Sequence, residues 1–189
     1  MKRAIIAIMI SGITLGSALA SQDKAANVAE AKTIIKAFFE QLKGELQTAM
    51  KAGGPVNAIK NCQLQAPSIA NEMSVKSGWK VRRTSLKLRN PANTPDAWEL
   101  EVLNKFEQRK AAGEDPKLIA HAEVVEQNGK SEFRFMKAIP TAELCLNCHG
   151  ENLKPEVAAA LDSHYVADKA RGYKLGDIRG AFTLSKPLE

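Results

Sequence analysis

The stretch "LIAHAEVVEQNGKSEFRFMKAIP", residues 118–140, decides the fold class. Two apolar-rich runs flank Asn128-Gly129, a pair suited to the positive φ angles of a two-residue hairpin turn. The stretch predicts a β-hairpin. Upstream, Val28, Ala31, Ile35, Phe38, Leu42, Leu46 and Met50 recur at helical spacing and predict an amphipathic helix over 27–50. "AGGP" at 52–55 ends it. A second helix fits residues 56–73, with Val56, Ile59, Cys62, Ala66, Ile69 and Met73 on one face. Pro67, which lacks an N–H and crowds the preceding turn, is expected to kink or restart it. Gly78 closes this part, and residues 79–90 read as a strand. Thr94 as N-cap and Pro95 at the first helical position predict a third helix to about Ala112, stopped by Gly113 and Pro116. Beyond the hairpin come a short helix over 155–161 and a strand over 178–184. This order implies an α+β fold, an antiparallel sheet with flanking helices and a long N-terminal helix.

The chain begins "MKRAIIAIMISGITLGSALA". Lys2 and Arg3 precede an apolar run from Ala4 to Leu15, and Ala18-Leu19-Ala20 supplies a small-residue ending. That is the layout of a secretory signal peptide cleaved after Ala20. The run is short for a bilayer span, which needs about 20 residues, and no cysteine lies near the cleavage point to make a lipoprotein. The expectation is a leader over 1–20 and a single domain over 21–189, periplasmic, without stable membrane insertion. Loss of Lys2 and Arg3 lowers the formal charge from +6 to +4. The remaining cations are scattered rather than stacked, so no nucleic-acid partner is inferred.

"CLNCH", residues 145–149, is the Cys-x-x-Cys-His attachment signature of c-type haem. Thiols separated by two residues reach the two vinyl groups on one porphyrin edge, and the adjacent histidine offers a nitrogen to iron. Cys145 and Cys148 are thus the expected thioether positions and His149 the proximal ligand of one covalent haem c. A thioredoxin-type redox pair fits less well, since it needs a helix N-terminus after a strand and His directly after it is not diagnostic there, and zinc usually wants a second Cys-x-x-Cys pair, which the sequence lacks.

The second axial position separates the functions. Cys62, Met50, Met73, Met136, His121 and His164 are the candidates. The methionines read as core residues, and the histidines as surface or capping residues. Cys62 differs, because an unpaired thiol in an oxidising compartment risks oxidation and mispairing. From its residue type alone it is an iron ligand, a small apolar core residue or half of an intermolecular disulfide. Arg82, Arg83 and Arg89 either neutralise haem propionates or form a solvated basic strand edge. Asn90, Asn93 and Asp96 read as turn and cap residues.

"AIKNCQLQAPSIA", "RRTSLKLRNPANTPDAWE", "CLNCHG" and "GDIRGAF" together resemble a bacterial family of exported single-haem proteins, often labelled a domain of unknown function. The resemblance covers residues 34–188. It implies a PAS-like fold and a His/Cys axial pair, with Cys62 as distal ligand opposite His149. His164-Tyr165-Val166 departs from the Tyr-Pro more usual in that family, which implies a small change in that loop and no loss of haem. The expected function is low-potential electron transfer or redox sensing by a mono-haem, cytochrome-like protein, with an unidentified redox partner. The alternative is a gas or small-ligand sensor in which the distal Cys62 is displaced from ferrous haem. Peroxidase-like activity ranks last, because no distal His/Arg pair is evident, so the protein is not expected to be an enzyme. The N-terminal helix offers a face for a homodimer.

Overall fold

A computed structural model describes residues 15–127 and 129–188. Residues 1–14, most of the expected leader, lie outside the described residues, as does Asn128 of the hairpin turn. Strands β1 (Lys80–Thr84), β2 (Ala120–Gln127), β3 (Lys130–Pro140) and β4 (Ile178–Leu188) form one antiparallel sheet in the order β1-β4-β3-β2. The helices are α1 (Leu15–Ser77), α2 (Ala97–Ala111), α3 (Glu143–His149) and α4 (Pro155–His164).

Strand periodicity sorts the core into layers, since successive side chains point to opposite faces. Phe133 and Phe135 of β3, Phe182 and Leu184 of β4 and Val81 of β1 pack with Ala31, Ile35, Phe38 and Ile69 of α1. Phe38 and Phe182 meet edge-on, ring centres 5.4 Å apart. Met136, Ala138 and Ala181 alternate to the other face and pack with Val102, Leu103 and Phe106 of α2. The antiparallel sheet thus lies between α1 and α2, as the α+β reading requires. A third cluster fastens α4 to α1 through Ile59, Val157 and Leu161.

α1 is a helical hairpin. Its helical dihedrals fail only at Gly53 and Gly54, and Gly54, at φ 68°, occupies the left-handed region that suits glycine. Asn57 Nδ2 donates to the Ala49 carbonyl across this break (2.9 Å), satisfying an end of the first arm. The arms begin earlier and run later than the spacing predicted, to Leu15 and Ser77. Pro67 does not break the second arm; its fixed φ suits a helix, and one missing N–H is tolerated in a packed one.

Three other boundaries are corrected. β1 stops at Thr84 rather than running to residue 90, because Ser85 Oγ bonds the carbonyls of Lys87 and Arg179 and turns the chain. The N-cap of α2 is Asp96, not Thr94: the Asp96 carboxylate accepts from the Glu99 N–H, and Glu99 accepts from the Asp96 N–H, a reciprocal capping box. Thr94 instead closes a short 3-10 turn over Pro91–Asn93. The Cys-x-x-Cys-His motif, left without regular structure by the sequence reading, forms α3. Among the described residues no helix is long and apolar enough to cross a membrane.

One irregularity matters for the site. Ile139 pairs with Gly180 but Pro140 pairs with Ile178, so Arg179 is the extra residue of a β-bulge. Gly180 has φ 155°, and a Cβ there would collide with the Thr84 carbonyl of β1. Replacing Gly180 by alanine should therefore lower stability by about 1–3 kcal/mol, read as a lower urea midpoint with an unchanged slope.

Candidate functional site

α3 places its three reactive side chains together. Cys145 and Cys148 are three apart, and His149 is four from Cys145, so all project from neighbouring helical positions. They line a cavity of about 500 Å³. Its walls are mainly apolar, with Leu42, Leu46 and Met50 from the first arm of α1 and Ile59, Cys62 and Ala66 from the second. The size falls within the roughly 300–1,000 Å³ range of cofactor pockets. The structure brings all four predicted site residues, Cys62, Cys145, Cys148 and His149, to this one space, each cysteine unpaired.

The imidazole of His149 is oriented by its neighbours. Nδ1 lies 2.7 Å from the Ala170 carbonyl, an acceptor only, so Nδ1 carries the proton and Nε2 the lone pair. Burial, with the Arg179 and Arg89 guanidiniums close by, outweighs that hydrogen bond and holds His149 well below the usual histidine range. The ring is thus neutral, the form that binds metal. Tyr173 packs edge-on against it at 6.2 Å. The backbone seals the arrangement: Tyr173 N–H donates to the His149 carbonyl (2.9 Å) and Gly172 N–H to that of Gly150 (3.1 Å).

Arg89 clamps this loop to α3. It forks onto Asp168, with Nε and Nη2 each 3.1 Å from a carboxylate oxygen, and also donates to the Cys148 and Ala170 carbonyls. Asp168 is 1% exposed and also accepts from Arg171 and from the Ala170 N–H. Burial alone would raise its carboxyl; the bonds from Arg89, Arg171 and Ala170 outweigh it and hold the group below its ordinary value.

Cys62 faces the cavity from the second arm. Burial pushes its thiol up, against opposing pulls from Arg83 and Arg89, so the sulfur is protonated until a metal displaces the proton. Of the other axial candidates only Met50 lines the cavity. Met136 is buried under α2, and Met73 packs in the sheet core. His121 stacks on Trp98 beside Glu123, and His164 pairs with Gln63 at the end of α4.

The consecutive arginines of β1 part company because strand faces alternate. Arg83 shares the face of Val81 and lines the cavity, and among the described residues it has no ion pair. Arg82 turns toward α2, donating to the Thr94 carbonyl (3.1 Å) and lying 3.7 Å from buried Glu99. Asn90 caps the 3-10 turn and Asp96 caps α2, as expected of them. Arg179, not singled out in the sequence, reaches His149 from the bulge in β4. Paired thiols, a neutral imidazole whose Nε2 faces the Arg89 and Arg179 guanidiniums at 3.3 Å each, an apolar wall and the unpaired Arg83 guanidinium fit a thioether-linked anionic porphyrin.

The Tll0287-like family model matches residues 17–187. The chain belongs to the Tll0287-like family. Among solved structures it is similar to the cyanobacterial heme-protein Tll0287, with a TM-score of 0.66 and 24% identity, covering 87% of this chain and 96% of that one. At that identity the likeness speaks for the fold. No curated protein matches the chain.

In this Tll0287-like chain the loop carrying Asp168 holds the site in shape. Replacing Asp168 by alanine strands Arg89 and should cost about 3–5 kcal/mol, measured by denaturant unfolding. Because the Asp168 pKa is lowered by folding, its contribution is present above the unfolded aspartate value and lost as pH falls below about 4. The Asp168→Asn variant should show a correspondingly shallower loss of stability over that acid range.

Proposed function

We propose that this Tll0287-like protein carries one haem c, joined by thioethers to Cys145 and Cys148, with His149 and Cys62 as axial ligands. Acting in the periplasm, it would serve as a low-potential one-electron carrier or redox sensor rather than an enzyme. The observation that carries this reading is the meeting of Cys62 with the Cys145–His149 helix at one cavity. The description of the structurally similar cyanobacterial protein as a heme-protein supports it. When bound, the haem would supply one-electron Fe(III)/Fe(II) chemistry.

The chain's own residues set the terms of that chemistry. His149 presents Nε2 because Ala170 holds Nδ1. Cys62, as a thiolate, donates charge and favours the ferric state, lowering the potential. With the haem reduced, Cys62 would be a weaker partner, and the burial that raises its thiol would favour a proton on a released sulfur. The second arm of α1 is then free to respond to oxidation state, which is the sensing version of the proposal. That same burial supports the second reading, in which a neutral gas such as CO or NO takes the place vacated by Cys62 against apolar walls.

Optical and EPR spectra of the ferric protein beside Cys62→Ala test the ligand set. A low-spin thiolate signature should be present in the wild type and absent from the variant, with haem still attached. Identical spectra, or purified protein without a chromophore, would overturn the reading. Adding CO to the dithionite-reduced protein separates the two functions: a shifted Soret band on mixing favours the gas sensor, and an unchanged one the carrier.

A further inference from the structure

Arg179 occupies the bulge of β4, the one place where the sheet breaks its alternation beside the cavity. Bulges re-aim side chains, often next to functional sites. Ile178 packs under α2, and so does Ala181, although a regular strand would send them to opposite faces. The extra residue between them turns Arg179 back toward the cavity and His149. Its Nε lies against the imidazole, 3.3 Å from Nε2 and 3.1 Å from Nδ1; with the Nδ1 proton given to Ala170, Nε2 is the nitrogen that can accept from it. Ser85 Oγ, itself buried, holds Nη1 at 3.1 Å. The guanidinium also lies over the Tyr173 ring, 5.5 Å from its centre. No carboxylate pairs with Arg179 among the described residues, whereas the neighbouring Arg89 is neutralised by Asp168. A buried, unpaired cation therefore rests on the ring that offers its nitrogen to iron. The ring's other partners do not offset it: the Ala170 carbonyl is neutral, and Arg89, whose Nη1 lies 3.3 Å from Nε2, has its own charge balanced by Asp168.

We propose that Arg179 is a positioning residue that sets the redox potential of the site: its unpaired guanidinium, re-aimed by the bulge onto the proximal imidazole, favours the reduced iron and offsets part of the opposite pull of the Cys62 thiolate. The inference rests on the haem reading above. The step concerned is the transfer of one electron from an external one-electron donor to the ferric centre, with no bond made or broken at Arg179. The iron loses one unit of positive charge, and a fixed cation nearby stabilises that state in a medium that water and salt screen poorly.

Mediated potentiometric titration of the haem-loaded protein with dithionite tests this on wild type, R179Q, R179K and S85A. R179Q should disfavour reduction by about tenfold, which is 59 mV for one electron, while keeping the ferric spectrum of the wild type. R179K should restore most of the potential. S85A, which frees the guanidinium without removing its charge, should shift the potential part of the way down. A wild-type potential in folded R179Q, or an R179K potential as low as that of R179Q, would overturn the proposal. Should R179Q not fold, a wild-type potential in S85A would overturn it equally. A wild type lacking haem or its axial signature would instead sink the underlying haem reading, so the two failures are told apart.

Discussion

The buried pair of Arg89 and Asp168 is the joint on which the site depends. Two segments far apart in sequence, the loop after β1 and the loop after α4, meet where a carboxylate and a guanidinium cancel each other's desolvation, and the Lys169 N–H adds a bond to the Leu88 carbonyl (2.7 Å). Once they meet, Ala170 is in place to orient His149, and Tyr173 is in place to wall it. Arg89 also grips the Cys148 carbonyl, so the same side chain steadies the short helix that presents the two thiols. A seven-residue helix has little stability of its own. It is the tertiary clamp that gives the motif a fixed geometry.

Local chemistry made much of this legible. The helical spacing of Val28 to Met50, the glycines at 53 and 54 and the alternation around residues 118–140 are short-range signals, and each element formed near its expected place. The Cys-x-x-Cys-His spacing was equally plain, because three positions three and four apart on a helix project together, and the structure brings them to one cavity with Cys62. Boundaries were less visible where long-range hydrogen bonds compete. Asp96 outdid Thr94 as a cap because a carboxylate can exchange bonds with Glu99, and Ser85 ended β1 by bonding to Arg179, 94 positions away.

The arginines show the same limit. With Val81 known to be core, strand alternation points Arg83 into the cavity and Arg82 toward Glu99, although Arg82 also touches the cavity rim, and that signal was present in the sequence. Arg179 was not within reach of such reasoning. Its direction depends on an insertion relative to β3, which becomes visible only when the two strands are aligned in space. Arg89 reads as a basic strand residue until its partner Asp168 is seen, 79 positions later.

The placement of cations along β1 also bears on solubility. β1 is an outer strand, a position able in principle to template another chain, but Ser74 Oγ of α1 already accepts from the Val81 N–H on that side (3.0 Å). Its five residues include Lys80, Arg82 and Arg83. A second copy docking edge to edge would bring the exposed Lys80 of each copy to the seam, while Arg82 and Arg83 are already committed to Glu99 and to the cavity. The sheet therefore carries its own deterrent to growth into fibres or strand-swapped pairs.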